Sequence, residues 1–305
     1  MVGFKKSRCK VGYYKKGNQC IKRERVNKSK LSSSLECKSD GTSKYCGDDK
    51  PLKPPIHYPG AKAKLYNKIH RVIPKHQIYV EPFAGSASIF YLKPLAKKSI
   101  INDKDKNIIN VHKSFKKGLG FKKCDNTPNR KKFFRILNKK NKSACDISYL
   151  QKTSFGGKGK AYALDYRSPE SLKRFPKRKD LGIKYQNRHI NDYIDKLKST
   201  TITSQDFKKV MKKYSKKDSF TYLDPPYSKT GKIYKENGVT PKDVCDMAKS
   251  VDGKVLISYD NEKEVKKSCR GLRIKKISVP RMSLNTNMNN KTKNVNELLI
   301  ANYPI

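Results

Sequence analysis

Two hydrophobic periods alternate along this 305-residue chain. Short runs rich in β-branched and aromatic residues, Gln77 to Val80, Ser99 to Ile101, Thr201 to Thr203, Ser219 to Leu223 and Lys254 to Tyr259, predict buried strands. Between them the spacing turns helical: Leu65, Ile69, Val72 and Ile73 share one side, Asn107 to His112 continues the pattern, Thr240-Pro241 opens another helix, and a further one is expected around Glu262 to Val265. Two closing strands, Arg273 to Val279 and Asn296 to Tyr303, complete the series. Strands alternating with helices predict an α/β protein with a Rossmann-like, seven-stranded sheet.

The strand ends carry the candidate chemistry. Ser219 to Leu223 stops at Asp224, followed by Pro225 and Pro226, which cannot donate to a sheet ladder, and by Tyr227. An acid, two rigid carbonyls and an aromatic ring thus stand at a strand's carboxyl end, where open α/β sheets bind ligands. Such a group suits methylation of a planar amino nitrogen. Asp224 and the Pro225 carbonyl can accept the two N–H bonds of an exocyclic amine while Tyr227 stacks on the base. Upstream, Tyr58-Pro59-Gly60-Ala61-Lys62 offers small residues, a ring and a cation. The strand ending at Val80 runs through Glu81-Pro82-Phe83-Ala84-Gly85-Ser86-Ala87 into a helix, a turn that leaves room for a nucleoside. Asp103 follows Gly85 by eighteen residues, where doubly wound sheets set a carboxylate on ribose hydroxyls; a helix cap is the alternative reading.

Charge narrows the partner rather than the fold. Lys and Arg number 72 against 26 Asp and Glu, a net +46, which calls for a polyanion. No run is long and apolar enough to cross a membrane or to form a signal-peptide core, so the chain is expected to be soluble, intracellular and not secreted. Residues 1–55, rich in Lys, Ser, Asn and Gly and without sustained periodicity, are expected to form a mostly disordered basic tail. The tail cysteines Cys9, Cys20, Cys37 and Cys46 lack zinc-site spacing and a histidine, and reduced thiols are expected; Cys124, Cys145, Cys245 and Cys269 are scattered, pointing to a reducing compartment. His57, His70, His76, His112 and His189 show no metal pairing and read as ordinary surface or loop residues, and no metal is expected.

Five of these motifs, in this order, make the resemblance specific. Tyr58 to Lys62, Glu81 to Ala87, Asn102-Asp103, Asp206-Phe207 and Asp224 to Tyr227 resemble the Dam-like, α-group adenine-specific DNA methyltransferases, and Glu297 to Tyr303 is similar to that family's last strand. The likeness spans residues 56–305; Ala61 and Ala87 depart from it, standing where many members carry Gly. It implies an S-adenosylmethionine-dependent methyltransferase fold with S-adenosylmethionine as cofactor. It implies that Tyr58 and Lys62 lie at the cofactor's methionine end, that Phe83 and Gly85 line its turn, and that Asp103 takes the ribose hydroxyls. Asp206, with Phe207 beside it, would hold the cofactor's adenine, a helix N-cap explaining Asp206 almost as well. Asp224, Pro225, Pro226 and Tyr227 would be catalytic, Asp224 counting at the cofactor too.

The stretch between Asp103 and Asp206 is too long for one connection in a compact sheet. Dense in Lys and Arg with aromatics interleaved, it is expected to be an inserted helical DNA target-recognition subdomain at residues 113–195, the catalytic domain comprising 56–112 and 196–305. A loop or hairpin is expected near Ser154 to Gly159, with Lys158, Lys160 and Arg167 as DNA-binding candidates; the Asn-rich loop Asn285 to Asn290 is also expected to touch DNA. The partner is then double-stranded DNA, methylated at the N6 of an extruded adenine, with a cognate restriction endonuclease possible and the chain a monomer or weak dimer. RNA adenine or DNA cytosine-N4 methylation, and a catalytically idle basic DNA-binding protein, are the rival readings.

Overall fold

The computed structural model describes residues 13–16, 19–22, 51–56, 60–121, 124–125, 127–154, 157–163, 183–227, 238–281 and 293–305. Tyr58, Arg167, His57, the loop 285–290 and the cysteines Cys9, Cys37 and Cys46 lie outside them. The chain divides into two units, Met1–Cys46 and Gly47–Ile305. In the first, β1 (Tyr13–Lys16) pairs antiparallel with β2 (Gln19–Lys22), Tyr13 opposite Lys22. A stretch read as lacking periodicity therefore contains strand, because Tyr13, Tyr14 and Ile21 are strong β-formers.

The second unit opens with Leu52 and Ile56 already buried in its core. A 3-10 turn (Lys62–Leu65) leads into α1 (Tyr66–His70), then β3 (Ile78–Glu81), α2 (Ser88–Leu92), β4 (Lys98–Asn102) and α3 (Lys106–Lys116). After an insertion come β5 (Thr200–Thr203) and β6 (Ser219–Leu223), then β7 (Lys254–Asp260), β8 (Arg273–Arg281) and β9 (Lys293–Ala301). Seven strands pair in the order β5-β4-β3-β6-β7-β9-β8. The first five are parallel, and β9 runs antiparallel between β7 and β8. This is the expected Rossmann-like α/β sheet. Its order reverses at β3, since the chain moves outward through β4 and β5 and returns to β6 on β3's other side. A crevice forms where the order reverses, outside the carboxyl ends of β3, β4 and β6.

Alternation along the strands sorts the core into two layers. Tyr79, Ile101, Phe220, Tyr222, Leu256 and Leu299 face one side, while Leu223, Val255, Ile257, Tyr259, Leu298 and Ile300 face the other. The second layer packs against α8 (Phe207–Tyr214), α9 (Pro241–Ser250) and α10 (Lys263–Ser268) through Met211, Val244 and Val265. α9 is fixed at its start by a capping box: Thr240 accepts from Asp243 N at 3.1 Å and Asp243 accepts from Thr240 N at 3.1 Å.

Within the insertion, α4 (Arg130–Leu137), α5 (Ala144–Thr153), α6 (Lys184–Arg188) and α7 (Ile190–Lys198) are helical. Phe133, Ile136, Tyr149, Leu150 and Tyr162 form a small core of their own there. A Ser154–Tyr162 bridge closes the expected loop. The scattered cysteines are not free thiols: Cys124 bonds Cys145 and Cys245 bonds Cys269, with Cα atoms 5.3 and 5.1 Å apart. Separations of 21 and 24 residues hide this proximity, which arises only when helices pack.

Candidate active site

At the carboxyl end of β6 the double proline turns the chain out of the sheet and leaves Asp224 beside Lys62, on the 3-10 turn. Lys62 Nζ lies 2.7 and 2.9 Å from the two carboxylate oxygens and also donates to the Gly60 carbonyl at 2.9 Å. Ser258, on β7, donates to Asp224 Oδ1 at 3.0 Å and shares a 2.8 Å bond with Tyr222. The Lys62 ammonium also sits 4.6 Å from the centre of the Tyr227 ring, a cation–π contact. Behind that ring Tyr259 stacks at 5.6 Å, and the Tyr227 hydroxyl donates to Glu297 on β9 at 3.0 Å. Burial, then the Asp224 charge, holds the Tyr227 hydroxyl well above its ordinary pKa, so it stays a donor. The Lys62 ammonium thus occupies the side of Asp224 that also faces the Tyr227 ring.

The ends of β3 and β4 form a second group. Gly85, at φ +48°, donates its N–H to Asp103 Oδ2 at 2.8 Å, while Asp103 Oδ1 accepts from Asp105 N at 2.9 Å. Burial pushes the Asp103 carboxyl up to about 6, against these two bonds. Glu81 is fully enclosed, accepts from the Tyr79 hydroxyl at 2.8 Å and Phe90 N at 3.1 Å, and is pushed by burial up to about 8. Asn102 ties the loops together, donating to the carbonyls of Pro82 and Gln205 and accepting from Gln205 N and Thr203. Phe83, half-buried, packs 4.9 Å from Phe207.

His112 was read as a surface or loop residue, and the structure corrects this: it is fully buried. Nε2 lies 2.9 Å from the Gly85 carbonyl and Nδ1 3.0 Å from the Tyr91 hydroxyl. A carbonyl only accepts, so Nε2 carries the proton and Nδ1 accepts from Tyr91. Burial lowers its pKa to about 4, keeping that neutral form. No spacing signals this role, since the helical pattern of α3 gives only the buried face. Ser258 and Glu297 were likewise missed, because they sit within strands whose residues carry no local motif.

Of the remaining expected residues, Phe207 joins the second group through Phe83, while Asp206, Lys158 and Lys160 are exposed. Asp206 is exposed and caps α8, accepting from Lys208 N at 2.9 Å, while Phe207 is buried. Lys158 and Lys160 are exposed on the loop closed by the Ser154–Tyr162 bridge. Surface cavities of about 410 and 450 Å³ open beside Asp125 and Arg135 in the insertion and between α3 and Thr203 to Gln205, neither at Asp224. Among the described residues no cluster of His, Cys, Asp and Glu could hold a metal, and no helix is long and apolar enough to cross a membrane.

Comparison with known proteins matches residues 58–282 to the D12 class N6 adenine-specific DNA methyltransferases. The Type II methyltransferase M.MjaIII of Methanocaldococcus jannaschii is 25% identical over 295 residues, covering 83% of this chain and 99% of that protein. Among solved structures, the precorrin-6y C5,15-methyltransferase of Geobacter metallireducens superposes with a TM-score of 0.35 at 8% identity, over 83% of this chain and 92% of that one. An rRNA methylase of Streptococcus thermophilus gives 0.32 at 12%, over 80% and 97%. At such distances these two superpositions carry no argument, and the fold stands on its strand order.

Proposed function

Since the chain belongs to the D12 class N6 adenine-specific DNA methyltransferase family, and so transfers a methyl group to the exocyclic N6 of adenine in DNA, we propose that it is of the Dam-like, α-group type and works through Asp224 to Tyr227. The observation that carries this reading is a carboxylate held at a strand's carboxyl end between Lys62, Ser258 and the Tyr227 ring. S-adenosylmethionine is the methyl donor, supplying an electrophilic methyl on a sulfonium. The residues that would hold it fit a nucleoside. Asp103 has lone pairs left for ribose hydroxyls, Gly85 brings backbone close without a side chain, and the Phe83–Phe207 pair offers an apolar wall. Tyr58 and Lys62 are assigned to its methionine end, and Asp206 to its adenine.

The chain's own groups then act in sequence. The adenine is extruded from the duplex at a cost of about a few kcal/mol, part of which stacking on Tyr227 returns. Lys62 withdraws from between Asp224 and the ring, while Ser258 keeps the carboxylate aimed. Asp224 and the Pro225 carbonyl accept hydrogen bonds from the two N6–H groups, localising the nitrogen lone pair for attack. The nitrogen then carries a surplus proton, which Asp224 is placed to take. Lys158, Lys160 and Arg167 are assigned to the DNA, and a cognate restriction endonuclease is proposed as a partner in view of the Type II relative.

Asp224→Ala tests the reading through labelled methyl transfer to duplex DNA. Transfer to adenine N6 falls on the order of 10³-fold while salt-sensitive DNA binding remains. Undiminished transfer, or label on cytosine N4 in the wild-type product, overturns it.

A further inference from the structure

The opposite end of the sheet carries a feature that methyl transfer does not use. Each of the five parallel strands begins at a lysine or within three residues after one: Lys75 before β3, Lys97 and Lys98 at β4, Lys198 before β5, Lys216 and Lys217 before β6, and Lys254 at β7. All seven are exposed. The pairing registers set these starts level, with Ile78 beside Lys98 and Ser219, Ser99 beside Thr200, and Phe220 beside Lys254. With neighbouring strands about 4.8 Å apart, the row spans roughly 20 Å across β5, β4, β3, β6 and β7. Asp195, Asp218 and Asp252 are acids beside it, and none of the seven lysines forms an ion pair with a described residue. Lys98 lies 5.5 Å from the Tyr214 ring centre, an aromatic at the same end.

Like charges without ion partners on strands about 4.8 Å apart repel one another, since that strand spacing is shorter than the Debye length of about 8 Å. A phosphate backbone relieves that repulsion and releases condensed counterions. The target duplex must reach Asp224 at the carboxyl ends, so the phosphates that meet this row belong to another stretch of nucleic acid. We propose that the amino-terminal rim of the sheet is a second DNA-binding surface, which holds the backbone of a non-target duplex segment without reading its sequence while the front face engages its site. It extends the proposed function without requiring Asp224 to be catalytic.

The test uses the full chain with a biotinylated random-sequence duplex on beads and a fluorescent duplex in solution. The wild type captures the second duplex. Lys75→Gln, Lys216→Gln, Lys217→Gln and Lys254→Gln together lower that capture at least tenfold and cut the slope of log affinity against log salt by about 3, with methylation of a short duplex unchanged. A control with equal charge loss in the first unit, Lys5→Gln, Lys6→Gln, Lys22→Gln and Lys28→Gln, keeps capture within threefold. The proposal is overturned if the wild type captures nothing, if the rim variant captures as well as wild type, or if the control loses as much. Preference of the rim for RNA or polyglutamate over duplex DNA overturns the choice of partner. Loss of short-duplex methylation in the rim variant alone places the rim in the front site and overturns its independence, and does so whether or not Asp224 proves catalytic.

Discussion

The two ends of the parallel sheet carry opposite kinds of ionisable side chain and treat them differently. The five strands that start at lysines end at or within three residues of acids: Glu81, Asp103, Asp206, Asp224 and Asp260. The innermost acids have chosen partners: Asp224 holds Lys62, Asp103 holds the Gly85 N–H, and Glu81 holds Tyr79 and Phe90. Among the described residues, the lysines behind form no ion pair. A charge fixed by named donors in a partly dry site discriminates small ligands by geometry, whereas exposed unpaired charges sense only the density of an opposite charge. A net charge of +46 therefore says little about the carboxyl ends of the strands, where the titratable residues are mostly acidic.

The sharpest way to break this contrast is to remove one cation from each end. Lys62 is nearly enclosed, and its loss leaves Asp224 with Ser258 alone. Lys62→Met should lower unfolding stability by roughly 3 kcal/mol, the low end for breaking a buried pair, and should reduce kcat/KM at least a hundredfold. Lys254→Met at the rear should change either by less than about 0.5 kcal/mol or twofold. Denaturant titration and steady-state methylation read both. Equal effects would dissolve the distinction.

The fold was legible in the sequence because the strands are short and strongly apolar and the motifs close them at their carboxyl ends. Asp224 and Lys62 were singled out by their motifs, but their ion pair joins residues 162 apart and appears only once β6 and the 3-10 turn meet. His112 was not legible: it was read as a surface or loop residue, and nothing in its neighbours predicts its burial against the Gly85 carbonyl. Asp206 shows the reverse limit, since an acid before an amphipathic helix is equally a cap, and capping is what its carboxylate does here. Charge sorting along the strands escaped because Lys-rich composition masks position.

A smaller effect follows from the raised carboxyl at the front. Glu81 has a folded pKa near 8, above its unfolded value, so the folded state holds a proton that the unfolded state has lost. The native state is thus favoured most below about 4.5 and loses that advantage as pH rises through 8. Asp103 acts in the same sense only up to about 6, and His112, lowered to about 4, acts oppositely only below 6.5. Between pH 6.5 and 8 Glu81 therefore dominates these three, worth at most about 2 kcal/mol. Thermal midpoints across that window should fall for wild type and stay flatter for Glu81→Gln. A parallel fall in both would show that the carboxyl is ionised throughout.

The smallest expected effect concerns Ala61 and Ala87, the two alanines at which the chain departs from the glycines of the sequence resemblance. Ala87 lies at φ +52°, in the left-handed region, immediately before α2, whereas Ala61 has an ordinary φ of −50°. Alanine in the left-handed region costs about 1 to 2 kcal/mol, while glycine's freedom in the unfolded chain costs about 0.5 to 1 kcal/mol. Ala87→Gly should therefore stabilise the protein by about 0.5 kcal/mol, and Ala61→Gly should destabilise it by a similar amount, because only the unfolded-state term remains. Opposite signs for one chemical change, measured by denaturant midpoint, would locate the strain in the Gly85 to Ala87 turn. If both substitutions destabilise equally, the turn is relaxed, and any weakening of the front end by Ala87 has to come from the space its methyl fills.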